Sequence, residues 1–69
     1  MDKEHYNRIK VVLAEKRMTN KKLAQALDIT VQTVSHWCTN EMQPSIETLY
    51  RIAACLDIDV RELLIPTKD

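Results

Sequence analysis

The chain has 69 residues, a formal net charge of zero and a hydrophobic content of 45%. A chain this short buries only ~60% of its unfolded surface, so one small domain spanning residues 1–69 is expected, with its core at about 8–64. No apolar run exceeds five residues, which argues against a membrane span or a secretory leader and places the chain in the cytoplasm. Phe is absent and there is one Trp, so Leu, Ile, Val and Ala must build the core.

Cys38 and Cys55 lie far apart in sequence, and a small disulfide scaffold would carry more cysteines. With His5 and His36 they are the only soft ligands. Neither C-x-x-C nor H-x-x-x-H spacing occurs, so no metal and no cofactor is expected. No nucleophile–base–acid set is recognisable, and so small a core leaves little room for a cleft, so an enzyme is not expected.

Five helices and no strands are predicted, because strand alternation is missing. The first helix runs roughly from His5 to Lys16, with Ile9, Val12 and Leu13 inward. The second covers Asn20 to Leu27, with Leu23, Ala24 and Leu27 on one face. The third covers Val31 to Thr39, with Val34 and Trp37 inward. Thr19 and Thr30 stand where N-caps are wanted. The joint Asp28-Ile29-Thr30 is too short for the second and third helices to run antiparallel. Helices this short are unstable alone, so they must cross closely, and Ala24 is small enough to permit it.

A loop over Asn40 to Pro44 leads to a fourth helix capped by Ser45, with Ile46, Leu49, Ile52, Ala53 and Leu56 as its buried stripe. Asp59 and Glu62 resemble a capping box for a short fifth helix, which carries Val60, Leu63 and Leu64 and is stopped by Pro66. The chain has no glycine. Helix ends commonly need a residue with positive φ, and Arg17, Asp28, Asn40 and Asp57 fall at those ends; Asn and Asp tolerate that conformation better than Arg, so the expectation is either a modest stability cost or helix ends made without that geometry.

The outer face of the third helix carries Val31, Gln32, Ser35, His36 and Thr39. These are mostly short, polar and uncharged, which suits contact with base edges in a DNA major groove. Charge is distributed unevenly. Residues 1–22 hold seven basic and three acidic groups, residues 23–40 hold only Asp28, and residues 41–69 hold three basic and six acidic groups. Net neutrality predicts weak non-specific binding to nucleic acid without excluding specific binding.

The ordered set Ile9/Val12, Met18-Thr19, Leu23-Ala24, Leu27, Val34, Trp37, Pro44-Ser45, Leu49, Ile52-Ala53, Leu56 and Glu62-Leu63-Leu64 resembles the helix-turn-helix of the phage-repressor and Cro class, the XRE family. The resemblance runs from about Arg8 to Leu64. It implies an all-α, compact five-helix domain whose second and third helices form the helix-turn-helix. It also implies a prokaryotic or phage-type, nucleoid-associated regulator that binds double-stranded operator DNA, usually as a homodimer.

Carried over by position, the base-reading sites fall on Val31, Gln32, Ser35 and His36. The phosphate contacts fall on Asn20, Thr33 and Thr39, and Thr30 stands at a helix start that favours an anion. Lys21 and Lys22 add charge there, although ordinary solvated lysines are an equal reading. Trp37 is read as core from its spacing to Val34, and His36 as a DNA contact from its facing.

Three departures from the family pattern stand out. Many relatives pair an Arg at the position of Leu13 with a Glu at that of Cys38. Both are missing here, so Leu13 and Cys38 are expected to touch, with Cys38 a packing residue. Glu41 stands where a basic residue is frequent, and Arg17 where glycine is usual. The competing functional reading is a protein-interaction module, or an antitoxin-like partner, on the same scaffold. Leu64 and Ile65 form a short apolar patch that is either a dimer contact or the end of the fold.

Overall fold

A computed structural model describes residues 5–68, which form four α-helices and one 3-10 turn. Helix α1 is Ile9–Glu15, α2 is Asn20–Leu27, α3 is Val31–Cys38 and α4 is Ile46–Leu56; the 3-10 turn is Val60–Leu63. The all-α class expected from the sequence holds. The predicted fifth α-helix is instead the 3-10 turn.

One contiguous core runs through all five elements. Ile9, Val12 and Leu13 meet Leu23, Ala24, Leu27, Val34 and Trp37, with Ile52, Leu56 and Leu63 closing the other side. Ala24 is buried between α2 and α3, which pack closely, as its size predicts. Arg51 on α4 donates from its guanidinium to the Leu27 carbonyl at 3.2 Å, tying α4 to the end of α2.

Three N-caps fall where the sequence places them. Thr19, Thr30 and Ser45 accept from the backbone N–H of Lys22, Thr33 and Thr48. Asp59 also caps its turn, but accepts from Arg61 two residues on, so no full capping box forms with Glu62.

All four α-helices end in the same closure without glycine. The left-handed residues are Arg17 (φ 55), Asp28 (φ 58), Asn40 (φ 60) and Asp57 (φ 56). In each case the next residue donates back to a carbonyl five positions earlier, from Met18 to Leu13, Ile29 to Ala24, Glu41 to His36 and Ile58 to Ala53. This is the Schellman arrangement, in which an apolar residue after the left-handed one usually returns to the core. Met18, Ile29 and Ile58 do so. The end of α3 differs: Glu41 occupies that place, and Asn40 is itself buried.

Further expectations need correction. Helix α1 starts at Ile9, not near His5. Tyr6 and Asn7 are drawn into an antiparallel bridge between Asn7 and Leu64, with Arg8 N donating to Leu63 O at 2.8 Å and Ile65 N to Tyr6 O at 3.0 Å. The same bridge, rather than Pro66, ends the last turn at Leu63, because Leu64 is already extended.

Ile46 is 73% exposed instead of buried, since it opens α4 at the edge of the bundle and the apolar stripe begins at Leu49. In a 3-10 turn residues i and i+3 eclipse, so Val60 and Leu63 face inward together while Leu64 turns outward.

Candidate nucleic-acid interface

The exposed face of α3 is set by its buried one. Val34 is fully buried and Trp37 is 4% exposed, and these two anchor the helix against α1 and α2. Helical geometry then turns Gln32 and Ser35 outward, and both are exposed. Val31 is exposed at the first turn. His36 is only half-buried, so its ring lies along the flank rather than on the crest of the face.

The residues expected to meet phosphate cluster at two helix starts. Lys21 and Lys22 are exposed on the first turn of α2, and Asn20 is half-buried as its first residue. At α3, Thr30 Oγ1 accepts from Thr33 N, and the two hydroxyls share a hydrogen bond at 2.9 Å. One of those two hydroxyls is therefore spent as a donor, and the other keeps its hydrogen for a further acceptor.

Thr39 is differently placed. Its hydroxyl donates to Glu41 Oε1 at 2.9 Å, with the carbonyls of His36 and Ser35 at 3.2 and 3.3 Å. A hydroxyl has one hydrogen, so Thr39 is committed to the protein's own acceptors.

Cys38 is half-buried against the core cluster that contains Leu13, and its thiol donates to Asn20 Oδ1 at 3.6 Å. Burial raises the Cys38 pKa above its ordinary 9.0, with the nearby Lys10 charge partly opposing. The thiol therefore keeps its hydrogen at neutral pH. The sequence suggested an apolar contact, but not the polar partner on α2.

A buried amide network also escaped the sequence reading. Asn7 and Asn40 are both buried. Asn40 Oδ1 accepts from Tyr6 N, Asn7 N and Gln43 Nε2. Asn7 Nδ2 donates to Trp37 O and Gln43 Oε1, while Asn7 Oδ1 accepts from Ile9 N. One cluster thus caps α1 and replaces the missing apolar closure of α3. The position of Asn7, a short polar residue two places ahead of the first buried residue of α1, was the available signal. Among the described residues no buried side-chain nitrogen or oxygen lacks a partner.

Two short crossed helices, a three-residue joint, a buried Val–Trp anchor and a polar outward face beside cationic residues together define a helix-turn-helix DNA-binding domain. Over residues 8–69 the chain matches the Cro/C1-type HTH DNA-binding domain, and it belongs to that family. A candidate DNA-binding protein of known crystal structure from Bacteroides fragilis is similar at 47% identity; the match covers 86% of this chain and 95% of that one, with a TM-score of 0.85. A transcriptional regulator from Listeria innocua shares the fold at 24% identity and a TM-score of 0.72, with 91% of this chain and 63% of that one covered. No curated protein matches the chain. Among the described residues no helix is long and apolar enough to cross a membrane, and no group of three potential metal ligands occurs.

Proposed function

We propose that the chain is a sequence-specific regulator of transcription that reads double-stranded DNA with α3 in the major groove. The observation that carries this is the division of α3 into a buried Val34–Trp37 side and an exposed Gln32–Ser35 side. Gln32 pairs with adenine through N6 and N7, and Val31 touches a thymine methyl. Ser35 contacts a base edge, and His36, from the flank, donates to a guanine or a phosphate. Asn20, Lys21, Lys22, Thr30 and Thr33 hold the backbone, with Thr39 the weakest of the set because its hydroxyl is taken. Residues 1–69 act as one domain in the cytoplasm, and a homodimer reads half-sites about 34 Å apart.

Selection from a random duplex library at two salt concentrations tests the reading. A single recurrent motif with twofold symmetry is expected. Recovery of no common sequence at either salt overturns it.

Ile46 and Tyr50 are exposed one turn apart on α4, and this favours a second reading in which the main role is binding another protein. Recovery of a stoichiometric protein partner with no retained DNA decides for that reading.

A further inference from the structure

Cys38 is the last residue of α3 and Asn20 the first of α2, and their side chains meet across the helix-turn-helix. A carboxamide has its acceptor on one branch and two N–H donors on the other. The thiol at 3.6 Å occupies the oxygen branch. The nitrogen branch has no protein acceptor among the described residues, and Asn20 is only half-buried, so its donors are available to an external oxygen. The α2–α3 crossing is already packed by Leu23, Ala24, Leu27, Val34 and Trp37, so the thiol–amide contact is not needed to join the helices.

We propose that Cys38 is a positioning residue for DNA binding: its thiol sets the flip of the Asn20 carboxamide so that Nδ2, not Oδ1, meets a backbone phosphate. The inference rests on the DNA-binding reading above and on the phosphate role of Asn20. Without a donor at position 38 the amide turns over freely, and the flipped form presents oxygen lone pairs to an anion. Burial keeps the thiol protonated at neutral pH, which the hydrogen bond requires.

The test compares Cys38→Ser, which keeps a donor and loses apolar bulk, with Cys38→Val, which keeps bulk and loses the donor. Each is made alone and with Asn20→Ala, and Cys38→Ala repeats the donor removal with less risk of overpacking. Thermal melts fix an assay temperature at which every variant is folded, and fluorescence anisotropy reports affinity for the duplex chosen by library selection.

With Asn20 present, Val and Ala are expected to lose about fivefold in affinity while Ser stays within about twofold, the scale of one hydrogen bond. With Asn20→Ala, all three are expected to bind alike. Ser losing affinity while Val retains it, or an equal Val loss on both backgrounds, overturns the proposal. A selected duplex whose affinity ignores residue 38 overturns this inference alone, whereas failure to select any duplex overturns the DNA reading and the inference with it.

Discussion

The side-chain amide of Asn7 donates to the carbonyl of Trp37 at 3.0 Å, joining the segment ahead of α1 to the helix that carries the exposed polar face. Asn40 completes the junction from the other side, accepting from Tyr6 N and Asn7 N. Asn40→Ala removes the acceptor shared by Tyr6 N, Asn7 N and Gln43 Nε2 and places a Cβ-bearing residue without amide tolerance at φ 60. A loss of about 2–4 kcal/mol in unfolding free energy is expected from that combination, read from urea midpoints. Asn40→Gly keeps the backbone conformation and should cost less. Equal stability of wild type and Asn40→Ala would remove the network as a structural joint.

Arg17 holds φ 55 at the end of α1, where its side chain is exposed. The left-handed conformation costs a non-glycine residue about 1–2 kcal/mol, and glycine gives back part of that gain through its freer unfolded chain. Arg17→Gly is therefore expected to stabilise by about 0.5–1 kcal/mol, seen as a higher melting temperature. The same change at Asp28 or Asp57 should gain less, since Asp enters that region more readily.

The two cysteines differ in access. Cys55 is exposed, whereas Cys38 is half-buried with its pKa pushed up by burial. Because the thiolate is the reactive form, iodoacetamide at neutral pH should label Cys55 well ahead of Cys38. Raising the pH beyond the ordinary thiol value of 9.0 should speed the labelling of Cys38 as its thiol ionises. Peptide mass spectrometry over time reads both sites. Equal rates in the folded protein at neutral pH would contradict the placement of Cys38.

Glu41 draws the Thr39 hydroxyl away from solvent and sets a carboxylate beside the end of α3. On the DNA-binding reading, that carboxylate opposes nearby phosphate. Glu41→Gln is expected to raise affinity about two- to fivefold at low salt, with the gain fading as salt screens the charge. Titrations of a selected duplex at two ionic strengths measure it. Unchanged affinity at low salt would place Glu41 away from the backbone.

The legible parts of this fold were those written in local patterns. Thr19, Thr30 and Ser45 cap as their chemistry dictates, and Val34 and Trp37 are buried as their spacing requires. The positive-φ positions were readable because helix ends without glycine fall back on Asn and Asp, with Arg17 the costly exception.

What stayed hidden depends on residues distant in sequence. The Asn7–Leu64 bridge trims α1 and ends the last turn, and neither segment alone reads as a strand. The Cys38–Asn20 contact and the Asn7–Asn40–Gln43 network arise only once helices from different parts of the chain meet. Ile46 shows the limit of periodicity, which marks a face but not how far along the helix the core extends.

In the proposed complex the outward face of α3 reads bases while the start of α2 holds the backbone. Affinities of wild type, Gln32→Ala and Lys21→Ala for a selected duplex and its single-base variants test it most directly. Gln32→Ala should lose about 1–3 kcal/mol and its preference at one base position, while Lys21→Ala should weaken every duplex alike and flatten the salt dependence. A Gln32→Ala protein that keeps both the affinity and the base preference of wild type would contradict the claim.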